Sequence, residues 1–359
     1  MSIDLYGQSP RSLERLMSEW NEPMFRANQL CLWIHERAEC DPHRMTDLPQ
    51  KLRERLAAAF PSRSFRTLRR LRSRDGTVKF VFSLHDDSTI ETVLLSSGKQ
   101  RAICVSTQVG CSVKCPFCAS GSHGFSRNLT AGEILAQIHA VRKSVDVGMA
   151  PRNLVFMGMG EPLMNEMALH RVLDILFSPR GLGLGSRRVT VSTVGVIPAI
   201  ERLCDRDPAP ELALSLHASC DKVRDQLVPL NRKYPIADLL EACQRYIERA
   251  GTDMVTVEYV LLRGVNDTKR DAEALARLLK KRRFLVNLIR YNAIPGSIYE
   301  ASSRETVQSF LDLLRSRGIQ STVRRSLGGE IQGGCGQLRS DLRKDLDSSL
   351  EDGTDHTRH

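Results

Sequence analysis

Residues 102–118 read AICVSTQVGCSVKCPFC, a short apolar run that ends in three closely spaced cysteines. The run 102–109 predicts a strand, and Cys111, Cys115 and Cys118 follow it in the spacing C-x₃-C-x₂-C. A [4Fe–4S] cluster held by three cysteines leaves its fourth iron open, and that iron can chelate the amino and carboxylate groups of S-adenosylmethionine. The stretch therefore predicts a [4Fe–4S] cluster with S-adenosylmethionine as its ligand, and metal ligands at these three positions.

A structural zinc site is the alternative for the same cysteines. Such a site closes with four ligands and usually pairs two C-x₂-C arms, and His123 or Cys104 could supply the fourth ligand here. This alternative describes a zinc-stabilised RNA-binding module without catalysis, and it predicts a colourless protein.

Strand-like runs alternate with helical stretches after residue 100, which predicts an α/β fold with parallel strands and crossover helices. The predicted strands are 102–109, 153–156, 188–192, 211–216, 254–262 and 284–289. The predicted helices are 131–145, 166–177, 197–203, 236–250, 269–280 and 304–316. Because the distinctive motifs fall where strands end, a partial (β/α)₆ relative of the TIM barrel fits better than a doubly wound sheet.

The rest of the chain divides by composition. Residues 1–60 have apolar residues at helical spacing and predict a small helical accessory domain that binds RNA. Residues 61–100 are basic and carry Asp75-Gly76, which predicts a β-hairpin turn. Residues 101–338 would form the barrel core, and 339–359 a flexible polar tail.

The charge balance favours a polyanionic partner. Lys and Arg number 52 and Asp and Glu 42, a net charge of +10, and excess cations bind nucleic acid through phosphate contacts and counterion release. A generally basic surface without a partner is the alternative reading. No apolar run reaches the roughly 18 residues of a membrane span, and the N-terminus is charged where a signal peptide would be apolar. We expect a cytoplasmic protein with no membrane partner.

The second predicted strand ends in residues 157–162, MGMGEP. Its glycines allow close approach of the backbone to a ligand, and Glu161 can accept hydrogen bonds from a ligand's ammonium group. Taken alone, such a stretch is more often a simple turn. Just before the first helix, Thr130 and Glu133 form a T-x-x-E capping box, which predicts Thr130 as the N-cap.

These motifs resemble the radical S-adenosylmethionine RNA methyltransferases of the RlmN/Cfr family. The likeness runs from residue 25 to residue 338. Besides the cysteine triplet it includes, in order, ETV at 91–93, CVSTQVGC at 104–111, GFSRNL at 124–129, MGMGEP at 157–162, VST at 191–193, SLHA at 215–218, PLN at 229–231, GVND at 264–267, NLI at 287–289 and CGQL at 335–338.

The resemblance implies a two-stage methylation that uses two molecules of S-adenosylmethionine. Carbon 2 of adenine is electron-poor and cannot attack a sulfonium methyl group, so one S-adenosylmethionine first methylates Cys335. A second one supplies a radical that removes hydrogen from the S-methyl group, and the resulting carbon radical adds to the base. The family then assigns proton removal to the position of Glu91, and release to Cys104, which forms a transient disulfide with Cys335. Taken singly, either cysteine would be read as a small buried apolar residue.

The resemblance also implies the binding site for S-adenosylmethionine. Its amino end would be held by Gly160 and Glu161, and the rest of its pocket would be lined at strand ends. The pocket residues are Ser192, Ser215, Leu216, His217 and Asn292. For His217, a hydrogen-bonded core histidine is the alternative.

The expected substrate is an adenine in 23S rRNA and possibly tRNA, methylated at C2, with C8 methylation as the alternative within the same family. An electron donor such as flavodoxin and a monomeric state are also expected. Two departures from the family's usual pattern are Arg290 in place of proline and Gly333-Gly334 in place of two alanines. They predict a looser loop before Cys335 and an added charge near the pocket.

Overall fold

The structure is a computed structural model that describes residues 5–61, 63–97, 100–145 and 151–339. The predicted polar tail lies outside these residues except for Arg339. Among the described helices, none has the length and apolar character needed to cross a lipid bilayer.

Twelve strands and eleven α-helices make up the described fold. The strands are β1 (Arg66–Arg72), β2 (Val78–Ser83), β3 (Thr89–Ser97), β4 (Gln100–Cys104), β5 (Gln108–Gly110), β6 (Phe125–Asn128), β7 (Asn153–Phe156), β8 (Val189–Thr193), β9 (Glu211–Ser215), β10 (Val255–Leu261), β11 (Phe284–Arg290) and β12 (Ser321–Arg324). The helices are α1 (Pro10–Glu19), α2 (Phe25–Cys31), α3 (Gln50–Ala59), α4 (Ala119–Ser122), α5 (Ala131–Lys143), α6 (Glu166–Phe177), α7 (Ile197–Cys204), α8 (Asp221–Leu227), α9 (Ile236–Ala250), α10 (Lys269–Leu279) and α11 (Arg304–Ser316).

Ten of these strands form one sheet in the order β1-β2-β3-β4-β7-β8-β9-β10-β11-β12. The pairs among the first four strands are antiparallel, and from β4 onward all pairs are parallel. The predicted parallel α/β barrel is confirmed, and β12 adds a seventh parallel strand that the sequence analysis did not predict. Because parallel strands end at the same edge, the loops that follow them meet on one side of the sheet.

The strand predicted over 102–109 is wrong in its second half. β4 ends at Cys104, and residues 108–110 instead form β5, which pairs antiparallel with β6. Both halves are buried, so the apolar pattern continues while the hydrogen-bond partners change. Thr107 and Gln108 donate to the carbonyl of Met159, which draws the chain towards the loop after β7.

Local signals predicted from sequence are present at two element boundaries. Thr130 caps α5, with the reciprocal Glu133 bond of a capping box. Asp75 and Gly76 form the turn between β1 and β2, where Gly76 has φ +85° and Asp75 Oδ1 accepts from the Thr77 N–H. The hairpin extends the main sheet through β3.

The N-terminal helices α1, α2 and α3 have an apolar core of their own, which includes Leu13, Leu30 and Leu52. The core of the barrel lies between the parallel sheet and its outer helices. The N-terminal unit meets α5, where the rings of Tyr6 and His139 lie 4.9 Å apart. The domain limits at residues 60, 100 and 338 stay a prediction.

Candidate active site

A cavity of about 940 Å³, its open mouth included, lies where the parallel strands end. It brings together ten of the thirteen site residues predicted from the sequence. They are Cys111, Cys115, Cys118, Gly160, Glu161, Ser192, Ser215, His217, Asn292 and Cys335. Leu216, Cys104 and Glu91 do not line this cavity.

The three cysteines lie on a loop whose backbone is fixed at both ends. Gly110 adopts φ +76°, and a Cβ there would lie 1.9 Å from the carbonyl oxygen of Gly124, which accepts from the Cys111 N–H at 2.9 Å. The Cys118 N–H donates to the Cys115 carbonyl at 3.2 Å. Burial and then the neighbouring thiols raise the pKa of Cys115.

Within the described residues, no three His, Cys, Asp or Glu side chains are arranged to hold a single metal ion. A single metal ion needs all of its ligand atoms around one point. An iron–sulfur cluster instead takes one cysteine on each of its irons. Three buried or half-buried thiols on one cavity wall match the donor chemistry of such a cluster.

Glu161 is buried between two loops and faces the cavity. Its Oε1 accepts from the Leu163 N–H at 3.0 Å, and its Oε2 from the Val194 N–H at 2.9 Å. Burial raises the pKa of Glu161 to about 7 despite these bonds. No described residue forms an ion pair with it, so the carboxylate can still bind a ligand's ammonium group. Gly160 (φ +102°) lies so close to Gln108 that a Cβ would be 2.8 Å from the Gln108 nitrogen.

Ser192, Ser215 and His217 form the polar wall at the ends of β8 and β9. The two serine hydroxyls lie 3.3 Å apart. His217 Nδ1 accepts from the Val260 N–H at 3.1 Å, which leaves Nε2 as the N–H donor of the neutral ring. Burial lowers the pKa of His217 to about 3. His217 is hydrogen-bonded within the protein and also lines the cavity. Both hypotheses from the sequence, a pocket residue and a hydrogen-bonded core histidine, are therefore compatible with the structure.

Leu216 has a fully buried side chain, and its backbone supports this wall. Its N–H donates to the Glu258 carbonyl at 3.1 Å and its carbonyl accepts from Arg224 Nε at 2.9 Å. The contact of Leu216 with a ligand stays a prediction.

Cys335 lies on the wall between the main cavity and a second one of about 500 Å³, which Cys104 also lines. Burial, and then the nearby Cys335, raise the pKa of Cys104 to about 12. Both cysteines are free thiols, so the predicted disulfide is not supported by this structure. Asn292 Nδ2 donates to the Cys335 carbonyl at 3.1 Å, and Ser326 Oγ donates to Asn292 Oδ1 at 2.5 Å.

The loop before Cys335 departs from the sequence expectation. Gly334 packs against Asn292, and a Cβ there would lie 2.8 Å from Asn292 Nδ2 and 2.9 Å from Gln337 Oε1. The glycine thus allows a close contact rather than looseness. Arg290 is exposed, lines neither of the two cavities, and donates to the Ser302 carbonyl at 3.0 Å. Its side chain is not part of either cavity wall, and its effect on the charge near the pocket stays a prediction.

Glu91 lies on β3, fully buried and outside both cavities. Its Oε1 pairs with Lys79 at 2.9 Å, and its Oε2 accepts from the Arg339 N–H at 3.1 Å. Burial raises its pKa. Its role as a base stays a prediction.

Sequence reasoning missed two charged residues of the main cavity, Glu258 and Arg324. They lie 3.6 Å apart, and Glu258 Oε2 is buried without a hydrogen-bond partner among the described residues. A charged residue inside the apolar run of β10 was a signal for Glu258. Arg324 lies at the end of β12, the strand that was not predicted, so no strand-end argument could reach it.

Comparison with known proteins shows which family this chain is similar to. Residues 105–279 match the model of the radical SAM superfamily, and residues 3–60 match the N-terminal domain of ribosomal RNA large subunit methyltransferases. The chain is 45% identical to the dual-specificity RNA methyltransferase RlmN of an Anaeromyxobacter species, over 92% of this chain and 88% of that protein. It is 42% identical to the probable RlmN of Geobacillus kaustophilus, over 92% and 91%.

A solved structure is also similar over nearly its full length. It is a radical SAM methyltransferase from Sphaerobacter thermophilus, with a TM-score of 0.89 and 43% identity. The match covers 94% of this chain and 99% of that one.

Proposed function

Since this chain belongs to the RlmN family of radical SAM RNA methyltransferases, we propose that it methylates C2 of an adenine through an S-methylated Cys335, with two molecules of S-adenosylmethionine per turnover. The observation that carries the proposal is the position of Cys335. It lines the cavity of the three cysteines on one side and the cavity of Cys104 on the other. A methyl carrier needs access to both.

Members of the radical SAM superfamily bind a [4Fe–4S] cluster and S-adenosylmethionine, and the residues present fit both. Cys111, Cys115 and Cys118 would hold the cluster, and Glu161 has no ion-pair partner among the described residues for its carboxylate. When bound, the two groups supply one-electron chemistry that removes a hydrogen atom from a methyl group. This fit favours an iron–sulfur cluster over a structural zinc ion at the three cysteines.

The cavity walls would bind and orient S-adenosylmethionine. Glu161 would accept from its ammonium group, and the hydroxyls of Ser192 and Ser215 and the Nε2–H of His217 offer hydrogen bonds to its carboxylate and ribose. Asn292 fixes the carbonyl of Cys335, so the thiol is presented to the cavity by a backbone that is held in place. Positioning of this kind lowers the entropic cost of methyl transfer.

Glu91 and Cys104 would complete the reaction after the base has been bonded to the methylene group on Cys335. Glu91 accepts the ring proton, the electron pair of that C–H bond stays on the adenine, and the unpaired electron of the radical adduct passes to a one-electron acceptor. The thiol of Cys104 then bonds to the sulfur of Cys335, the carbon–sulfur bond breaks with its electrons going to the methylene carbon, and the thiol proton is delivered to that carbon, which leaves a methyl group on the base and a disulfide between the two cysteines. Because both residues are buried, water is kept away from these reaction steps.

The RNA substrates we propose are 23S rRNA and tRNA, because the similar proteins are named dual-specificity RNA methyltransferases. The net charge of +10 suits a phosphate-rich partner. A cytoplasmic location and a reducing partner such as flavodoxin go with this proposal.

The test is to reconstitute the protein anaerobically with iron and sulfide and to incubate it with S-adenosylmethionine, a reductant and unmodified RNA. Digestion and mass spectrometry should show 2-methyladenosine, absent in Cys335→Ala and retained in Cys220→Ala, a matched control at an exposed cysteine. Detection of 8-methyladenosine would instead show that the enzyme methylates C8 of adenine. Unchanged RNA with a fully loaded cluster would refute the proposal.

A further inference from the structure

Lys79 and Glu91 form a buried ion pair beside the segment that carries Cys335. Lys79 on β2 is the antiparallel partner of Val93, and Glu91 lies two residues from Val93 on β3, so both side chains project from the same face of the sheet. The ammonium lies 2.9 Å from Glu91 Oε1, and the side chains are 5% and 0% exposed. Both charges are therefore shielded from water and depend on each other.

The pair also contacts both ends of the Cys335 segment. Lys79 Nζ makes a long hydrogen bond of 3.5 Å to the carbonyl of Gln332, three residues before Cys335. The backbone N–H of Arg339, four residues after it, donates to Glu91 Oε2 at 3.1 Å. Residues 332–339, the Cys335 segment, thus contact Lys79 at their first residue and Glu91 at their last.

The turn between β1 and β2 holds the preceding residues independently. Asp75 Oδ2 accepts from the Gly328 N–H at 2.8 Å, and Glu330 Oε2 lies 3.4 Å from the Arg74 nitrogen. If the hydrogen bond from the Arg339 N–H to Glu91 weakened, the end of the segment near Arg339 would therefore be released while Gly328 and Glu330 stayed bound to the turn.

Electrostatics set Glu91 apart from an exposed glutamate. Burial raises its pKa, while the charges of Lys79, facing it from β2, and of Arg339, facing it from the C-terminal segment, lower it. Burial favours the neutral form of the carboxyl group, and the two cations favour its ionised form. A neutral side chain at position 79 would remove one of these cations, and the pKa of Glu91 would rise further.

We infer that Lys79 is a positioning residue for this reaction: it holds Glu91 ready to accept the ring proton and, through Gln332, holds the Cys335 segment in place. The inference rests on the proposed function. When the C–H proton passes to Glu91, the electron pair of that bond stays on the ring, the unpaired electron of the adduct passes to a one-electron acceptor, and the carboxylate becomes neutral. A neutral carboxyl accepts more weakly from the Arg339 N–H and no longer pairs with Lys79. Proton uptake thereby loosens the segment at the moment when Cys104 must reach Cys335.

The experiment compares wild type with Lys79→Met, Lys79→Arg and the matched control Arg72→Met, which removes an exposed cation from the same hairpin. Single-turnover assays measure S-methylation of Cys335, the covalent protein–RNA adduct and methylated adenosine across pH. We expect Lys79→Met to keep S-methylation within about twofold, to lower product formation about 100-fold at neutral pH and to accumulate adduct. The acid limb of its pH profile should move to higher pH, and Lys79→Arg should restore part of the rate.

Lost turnover with an unmoved acid limb would overturn the inference, because a purely structural role gives that result; wild-type turnover in Lys79→Met would overturn it too. If Lys79→Met does not fold, the double variant Lys79→Met with Glu91→Gln removes both charges, and it should methylate Cys335 yet fail to resolve the adduct. Hydrogen exchange of residues 332–339 separates this inference from the proposed function. Faster exchange in Lys79→Met supports the anchoring role even where wild type makes no methylated adenosine, and unchanged exchange refutes it.

Discussion

Arg224 supports the cavity wall from inside the protein, and its replacement gives the sharpest stability prediction. The residue is 0% exposed. Its guanidinium donates to the carbonyls of Leu216 (2.9 Å), Val194 (2.6 Å) and Ser215 (3.1 Å), and to Asn231 Oδ1 (2.8 Å). Burial lowers its pKa to about 10, so it remains charged at neutral pH.

Arg224→Met removes all four bonds and leaves behind four acceptors, two of them buried and two part-buried. At about 1.5 kcal/mol for each bond to a charged donor, the loss is about 6 kcal/mol. Relief of the desolvated charge returns part of it, so we expect a net loss of about 4 kcal/mol. Unfolding entropy of about 2.1 cal/mol/K per residue gives about 0.75 kcal/mol/K for a chain of this length, hence a fall in Tm of about 5 °C.

Differential scanning fluorimetry measures the Tm, and anaerobic calorimetry measures S-adenosylmethionine binding to the reconstituted protein. Binding should weaken at least about tenfold, because the carbonyls of Val194 and Ser215 belong to the loops that line the cavity. Arg224→Lys keeps the positive charge but loses the planar set of guanidinium donors. Its Tm and its affinity for S-adenosylmethionine should therefore lie between those of wild type and Arg224→Met. The exposed Arg232→Met is the control. A Tm within 1 °C of wild type, with unchanged binding, would refute the reasoning.

Two further predictions concern the N-terminal interface and the cysteine loop. Burial lowers the pKa of His35 from 6.5 to about 4 and that of His139 well below its usual value; both histidines gain protons on unfolding, so stability falls as pH falls from 6.5 towards 4. His139→Phe should therefore raise the Tm at pH 5 and leave it nearly unchanged at pH 8, and an equal shift at both values would contradict this. Gly110→Ala places a Cβ against the carbonyl of Gly124 and should lower the iron content after reconstitution well below that of Gly251→Ala, which has the same positive φ but open space around it. Equal iron in the two variants would show that the close contact does not matter.

The sequence by itself determined the elements whose signals are local. The capping box at Thr130, the Asp75-Gly76 turn and the alternation of apolar strands with amphipathic helices depend on neighbours within a few residues, and each is present in the structure. The spacing of Cys111, Cys115 and Cys118 similarly predicts a cluster loop without reference to the rest of the chain. Strand ends then indicated most of the cavity, because parallel strands bring their following loops to one edge.

Only the tertiary structure decided which side chains meet from distant parts of the chain. β12 is four residues long and has valine as its one apolar residue, beside a serine, a threonine and an arginine, so its apolar pattern is too weak to predict, and Arg324 was missed with it. Lys79 contacts Gln332 across 253 positions, and Glu91 contacts Arg339 across 248. Such pairs leave no periodic trace, since their energy comes from burial and from a partner that only the folded chain brings near. The sequence thus predicted the groups that would do the chemistry, and the fold decided which buried charges contact the segment that carries Cys335.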